Sequence, residues 1–326
     1  VAPIVPRWEH DKCIQCNICS LVCPHAAVRP KLMTEDQLEG APENFVAIPG
    51  KAKDKDSLYR LQVYIEDCQG CDVCAVECPT DALTMVPIEE EREAGQNANE
   101  AFFNALPEDN LGNNNETTIK GSQFKQPLME FSGACSGCGE TPYVKLITQL
   151  FGDRMVIANA TGCSSIWGGT FPAIPYTKNK DGHGPTWANS LFEDNAEYGF
   201  GMRLAVDANR KQLMANVEKA LENGTEGALK DAFVKAKELW SSKDDEAKVN
   251  SKKINDLLPA AIDSASGELK VALEKIKELG SYFVDKSVWA FGGDGWAYDI
   301  GYGGVDHVMA SGRNVNIFVM DTEVYS

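Results

Sequence analysis

Apolar and polar positions change rhythm along the chain. Up to about residue 105 the apolar residues come in short runs. The run 59–65, Tyr59-Arg60-Leu61-Gln62-Val63-Tyr64-Ile65, follows a charged loop at 51–56 and reads as a strand, and 82–86 reads as the strand that closes a small α+β module. Residues 89–130 show little periodicity. They carry acidic and Asn-rich stretches, Glu89-Glu90-Glu91-Arg92-Glu93 and Gly112-Asn113-Asn114-Asn115, and predict a linker at 106–130 with one short helix near 100–106. Beyond it, Val144, Ile147 and Leu150 predict a helix over 142–151 with one buried face, and 155–158 is an apolar strand. From 203 to 280 the character is helical: Leu213, Val217 and Leu221, then Leu269, Leu273 and Ile276, recur among Lys and Glu as the inner faces of amphipathic helices. The chain then reads β-α-β: a strand at 287–291, a helix-like stretch at 296–310 and a strand at 315–320, which predicts an α/β domain over 131–326 with a parallel sheet.

The cysteines give the first module its chemistry. Cys13, Cys16, Cys19 and Cys23 are spaced C-x2-C-x2-C-x3-C and followed by Pro24; Cys68, Cys71, Cys74 and Cys78 repeat the spacing before Pro79. In this bacterial two-cluster pattern the fourth cysteine of each run ligates the other cluster. The expected ligand sets of two [4Fe–4S] clusters are therefore Cys13, Cys16, Cys19 and Cys78, and Cys68, Cys71, Cys74 and Cys23. Structural zinc takes two short pairs separated by a dozen or more residues, and disulfide frameworks belong to small secreted domains; neither fits. His25, after Cys23-Pro24, is expected to pack and not to ligate, because eight thiolates are already assigned. Residues 1–105 are thus a ferredoxin-like 2[4Fe–4S] module.

Composition adds exclusions. The 326 residues are 43% hydrophobic and 24% charged, with 11 cysteines and a net charge of −17. Nucleic acid and anionic membrane are poor partners for such a surface. No run has the length of a membrane helix, and Val1-Ala2-Pro3-Ile4-Val5-Pro6 lacks the basic start and apolar core of a secretion signal, so a reducing cytoplasm is expected. The start without methionine and the end just past an apolar strand read as a chain truncated at both ends.

Two further motifs stand in the second domain. Cys135-Ser136-Gly137-Cys138 and the distant Cys163 make three thiol ligands where a cubane needs four; the residues alone equally allow a redox dithiol plus a buried thiol. Gly292-Gly293-Asp294-Gly295 lies at the carboxyl end of a strand, where α/β sheets bind phosphates, and its aspartate offers a hard oxygen to Mg2+. Tight turns use the same residues for backbone reasons, so this motif alone is weak.

Together these residues resemble the single-chain 2-oxoacid oxidoreductases, the pyruvate:ferredoxin (flavodoxin) oxidoreductase family, over nearly the whole chain. The two cysteine runs match its inserted ferredoxin domain. Cys135-Ser136-Gly137-Cys138-Gly139 with Thr161-Gly162-Cys163-Ser164-Ser165 match three ligands of its third, proximal [4Fe–4S] cluster. Gly293-Asp294-Gly295 match its thiamin diphosphate motif, and Met320-Asp321-Thr322-Glu323-Val324-Tyr325-Ser326 the metal-binding end of that motif. The resemblance implies that Asp294, Thr322 and the Val324 carbonyl hold Mg2+, and that the fourth proximal-cluster ligand and the main catalytic groups lie outside this segment. It implies oxidative decarboxylation of pyruvate to acetyl-coenzyme A and CO2, with single electrons passing through three clusters to ferredoxin or flavodoxin. It implies too a homodimer, completed by further domains of the parent chain, and a segment that is inactive by itself. The alternatives are an electron-carrier subunit with a non-catalytic α/β domain, and a relative with another 2-oxoacid or an NADP-linked acceptor.

Overall fold

The computed structural model describes residues 2–51, 55–108, 111, 114–169 and 174–323. The chain divides into two compact units, Val1–Asp153 with Thr161–Pro185, and Arg154–Ala160 with Thr186–Tyr325.

The first unit contains β1 (Ile4–Trp8), α1 (Ile18–Val22), β2 (Val28–Met33), β3 (Ile48–Pro49), β4 (Leu58–Val63), α2 (Val73–Val76) and β5 (Leu83–Pro87). Then come α3 (Ile88–Glu93), α4 (Gln96–Ala105), α5 (Ile119–Ser122), α6 (Thr141–Phe151) and, after an excursion into the other unit, α7 (Cys163–Gly169). β1 and β5 form an antiparallel ribbon in the register Ile4↔Pro87 to Trp8↔Leu83. In a two-stranded ribbon every strand is an edge, so Pro6 and Pro87 remove no ladder bond that a neighbour needs. β2 pairs antiparallel with β4, Val28 opposite Val63, and β4 also carries β3. Val28, Pro30 and Leu32 turn inward from β2 while Arg29 and Lys31 are half-buried, the period of two expected of a strand with one covered face. The core gathers Val5, Leu32, Met33, Tyr59, Leu61, Ile65 and Phe103, with Cys13, Cys23 and Cys74 buried among them.

α6 corrects the predicted face. Its buried residues are Thr141, Val144, Lys145, Thr148 and Gln149, while Ile147 and Leu150 are only partly covered. The deep face is polar because its partners are polar. Lys145 reaches backbone carbonyls of α1 and its following turn, and Gln149 accepts from Gln123 Nε2 at 3.1 Å.

The second unit is α/β. β6 (Met155–Asn159), β7 (Thr186–Asn189), β8 (Ser287–Gly293) and β9 (Val315–Met320) make a parallel sheet in the order β7-β6-β8-β9. Its central strands read as apolar runs because both faces are covered: Ile157, Ala158, Val288, Ala290 and Phe291 have no exposed surface. α8 (Asn195–Glu222) packs on β6 and β8 and continues into a helical bundle with α9 (Gly227–Glu238), α10 (Asp245–Ser264) and α11 (Gly267–Leu279). The bundle core is Leu213, Val217, Phe233, Ile254, Leu258, Leu273 and Ile276, so both predicted stripes do pack inward. After β8 a wide turn over Trp296–Ile300, kinked at Asp299, leads into α12 (Tyr302–Ala310). No helix among the described residues is long and apolar enough to cross a membrane.

Candidate functional site

The two cysteine runs fold as copies of one another. In each, the residue before the second cysteine is left-handed, Gln15 at φ 61° and Gly70 at φ 65°, as is the residue after it, Asn17 at 63° and Asp72 at 65°. A third matched pair, Ala26 at 56° and Asp81 at 49°, stands three residues past the fourth cysteine of each run. These turns aim backbone N–H groups at sulfur. Gln15 N donates to Cys13 Sγ and Gly70 N to Cys68 Sγ, both at 3.4 Å; Ala27 N donates to Cys23 Sγ at 3.3 Å and Ala82 N to Cys78 Sγ at 3.2 Å. N–H groups directed at a thiolate stabilise its charge, and hydrogen bonds to the sulfurs are among the levers that set a cluster's potential.

The fold sorts the thiols across the runs and not within them. Burial pushes the Cys19 thiol up, and the neighbours that add to the shift are Cys13, Cys16 and Cys78. Burial pushes Cys68 up to about 11, with Cys23 and Cys71 adding to it. Cys74 is raised by burial and then most strongly by Cys23. A largely apolar cavity is lined by Cys23, Cys68, Cys71 and Cys74 together with Pro6 and Met85. Thiols held above the neutral range by desolvation and by each other call for a cation, since a coordinated thiol is deprotonated outright. Among the described residues no group of three or more His, Cys, Asp or Glu side chains is arranged about a single metal ion. A cubane differs from such a site in binding each thiolate through a different iron.

The third C-x2-C loop repeats the first left-handed position of the turn in the two runs but not the second. Gly137, before Cys138, is left-handed at φ 75°, the place that Gln15 and Gly70 hold in the other two loops. The loop lies on the second run: Gln69 Nε2 donates to the Ala134 carbonyl at 3.1 Å, Ser136 Oγ to the Gln69 carbonyl at 3.2 Å, and a Cβ on Gly137 would stand 3.6 Å from Cys71 Cβ. Trp167 Nε1 on α7 donates to Glu140 Oε2 at 3.0 Å, which ties the helix that starts with Cys163 to the segment after Cys138. Cys135 is exposed, and Cys138 and Cys163 are half-buried.

Lys145, at the start of the second turn of α6, is buried at 2% exposure and is a residue that sequence reasoning missed. Its Nζ donates to the carbonyls of Ser20, of Leu21 at 3.1 Å and of Cys23 at 3.0 Å. Burial lowers the ammonium to about 8, against the pull of the Cys23 and Cys19 thiols. His25 packs against Phe131 with ring centroids 5.9 Å apart, and burial lowers its pKa.

In the second unit the strand order reverses at β6: the chain goes from β6 to β7 on one side, then crosses to β8 and β9 on the other. Ligands of open α/β sheets bind in the crevice outside the carboxyl ends of strands at such a switch point. Gly293-Asp294-Gly295 stands there, at the end of β8, and Asp321 and Thr322 follow β9, exposed. The Tyr298 hydroxyl is raised by desolvation and by its hydrogen bond to Asp321, and it feels Asp294, so both carboxylates border one tyrosine that the motif reading had not included. A Cβ on Gly292 or on Gly301 would fall 2.4 Å from Trp296, so these glycines admit the fully buried indole beneath the turn. The buried Trp296 Nε1 has no hydrogen-bond partner among the described residues. A switch-point crevice bordered by two carboxylates offers hard oxygen ligands of the kind a metal-bound diphosphate needs. Val324, the third expected Mg2+ ligand, lies outside the described residues.

A family model described as a 4Fe-4S dicluster domain matches residues 12–82, so the N-terminal unit carries such a domain. The whole chain is 56% identical to "Pyruvate:ferredoxin oxidoreductase" of Moorella thermoacetica and 49% identical to "Pyruvate-flavodoxin oxidoreductase" of Enterobacter agglomerans, and covers 28% of each. It is 46% identical over its whole length to the mitochondrial "Pyruvate dehydrogenase [NADP(+)]" of Euglena gracilis, of which it covers 18%. The chain thus spans under a third of the length of these relatives.

Proposed function

We propose that this chain is the electron-relay part, and half of the thiamin diphosphate site, of a pyruvate:ferredoxin or pyruvate:flavodoxin oxidoreductase. The observation that carries the reading is the third C-x2-C loop, which shares the first left-handed position of the two dicluster loops and is docked on Cys71. An electron-carrier module with a purely structural α/β domain has no use for it.

In this reading Cys13, Cys16, Cys19 and Cys78 hold one [4Fe–4S] cluster and Cys68, Cys71, Cys74 and Cys23 a second. Cys135, Cys138 and Cys163 hold a third, with one ligand from elsewhere in the parent protein. Asp294, Thr322 and the Val324 carbonyl hold Mg2+ on the diphosphate, and Gly293 and Gly295 shape the turn that admits it. When bound, thiamin diphosphate supplies the electron sink for decarboxylating a 2-oxoacid, and the clusters accept its electrons one at a time. The chain's own residues set the route. Gln69 and Ser136 clamp the third loop to the second run, so Cys68, Cys71, Cys74 and Cys23 would hold the cluster that neighbours the third. Cys13, Cys16, Cys19 and Cys78 would hold the remaining cluster, which would supply electrons to an external ferredoxin or flavodoxin. Coenzyme A takes the acetyl group. A cytoplasmic homodimer is part of the proposal and rests on the family resemblance alone.

The test is iron and cofactor content of the intact, anaerobically purified parent protein. About twelve iron atoms per chain are expected, with Cys163→Ser falling to about eight. Asp294→Asn is expected to lose thiamin diphosphate and keep its iron. About eight iron atoms in the unaltered protein, with no thiamin diphosphate bound, would establish the carrier reading instead.

A further inference from the structure

Among the described residues Lys145 is the one fully buried lysine, and its charge reaches a cysteine of each proposed dicluster ligand set, Cys23 and Cys19. Its three partners are carbonyls, of Ser20, Leu21 and Cys23, and a carbonyl can only accept. Three acceptors on one nitrogen require three N–H donors, which an ammonium has and a neutral amine lacks. The geometry therefore holds the side chain in its charged form. Ser20 and Leu21 belong to α1, which spans the three residues between Cys19, of the first ligand set, and Cys23, of the second. The thiols whose charge acts on Lys145 are those of Cys23 and, less strongly, Cys19.

Lys31 provides the contrast. It too is largely buried and donates to two carbonyls, Phe103 O at 2.8 Å and Leu106 O at 2.9 Å, at the end of α4. The charges that act on it are those of Glu108 and Arg29, and no cysteine is among them.

We propose that Lys145 is a positioning and tuning residue for electron transfer: a fixed positive charge that raises the reduction potential of the clusters held through Cys23 and Cys19. This rests on the ligand sets proposed above. Each reduction adds one negative charge to a cluster, and a neighbouring cation in a desolvated setting stabilises the reduced state more than the oxidised one. The cluster of Cys23 feels it more, since Lys145 binds the Cys23 carbonyl itself. The effect makes the second cluster a better acceptor for electrons arriving from the third loop. Lys145 lies on α6, which begins three residues after Cys138, so the element that carries the charge follows directly on two of the donor's ligands.

The experiment is an anaerobic redox titration of the intact parent protein, followed by electron paramagnetic resonance, for the unaltered protein, Lys145→Met, Lys145→Arg and Lys31→Met. In Lys145→Met at least one dicluster couple is expected to become about tenfold harder to reduce, about 59 mV lower for a one-electron couple. Lys145→Arg and Lys31→Met are expected to stay near the original potentials. Should Lys145→Met fail to assemble, Lys145→Gln, which keeps amide donors for the same carbonyls, takes its place with the same expected direction. Unchanged potentials at full iron content would overturn the tuning role and leave the ligand sets standing. Dicluster iron missing from the unaltered protein would instead overturn the ligand sets.

Discussion

Gln15 and Gly70 occupy the same place in their respective loops and the same left-handed conformation, yet they are not interchangeable. A non-glycine residue pays about 1–2 kcal/mol for that conformation, and Gln15 offsets it by donating Nε2 to the Pro49 carbonyl at 2.8 Å and accepting from Lys51 N at 2.9 Å. Gly70 has no room to do likewise: a Cβ there would stand 2.7 Å from the Ile4 carbonyl oxygen and 2.8 Å from Ala2 Cβ. Gly70→Ala is therefore expected to cost more than the conformational term of about 1–2 kcal/mol and to push β1 away from the loop. Loss of visible cluster absorbance on heating should come at a lower temperature than in the unaltered protein, and an equal or higher temperature would contradict the steric argument. The cysteine spacing is legible in the chain because each ligand is a few bonds from the next. The reason for glycine at 70 and not at 15 is not, because Ile4 is distant in sequence.

At the scale of elements, α8 shows why a periodic pattern can be half read. Its inward positions are Ala196, Gly199, Arg203, Val206, Arg210, Leu213, Val217 and Ala220, spaced three and four throughout. The apolar code reveals only the second half, because two of the earlier positions are arginines. Arg203 has a side-chain exposure of 2% and its Nη2 stands 3.0 Å from Asp285 Oδ1; Arg210 donates to the Tyr282 carbonyl at 2.7 Å and lies 4.0 Å over the Trp240 ring. Asp285 is thus the carboxylate between two buried guanidinium groups. Arg203 keeps Asp207, whose Oδ1 accepts from its Nε at 2.9 Å, whereas Arg210 loses its paired carboxylate. Removing one partner of a buried pair costs about 3–5 kcal/mol, so Asp285→Ala is expected to destabilise the α/β unit by at most that order in urea unfolding. A change within a few tenths of a kcal/mol would mean that the arginines find water. α6 has the same lesson in reverse, since its apolar stripe is real but Thr141, Lys145, Thr148 and Gln149 take the deeper face.

Across the whole molecule, what the sequence discloses follows the range of the interactions. The three strands of the parallel sheet with strongly apolar runs are evident, whereas β7, four residues of mixed polarity at the sheet edge, is not. β1 hides behind its prolines, which read as breakers until its two-stranded setting is known. The grouping of Cys78 with Cys13, Cys16 and Cys19 follows from a known spacing rule, but the docking of the third loop on Cys71 needs the tertiary structure. Cys13, Cys23 and Cys74 belong to the apolar core of the N-terminal unit, so removing the metal should dismantle that core and not merely empty a surface site. Anaerobic chelation is expected to abolish the amide protection of β2 and β4 in hydrogen exchange while β6 and β8, whose core holds no cysteine ligand, keep theirs. Protection persisting in β2 and β4 at zero iron would show a core that stands without its clusters.

The crossing of the fourth cysteines has a topological consequence. With the proposed ligands in place, the first cluster closes a ring running from Cys19 to Cys78, and the second closes a smaller ring from Cys23 to Cys68 that is nested wholly inside it. A protease cutting anywhere between residues 24 and 67 opens both rings and releases neither fragment, because each remains knotted to the other through iron at two places.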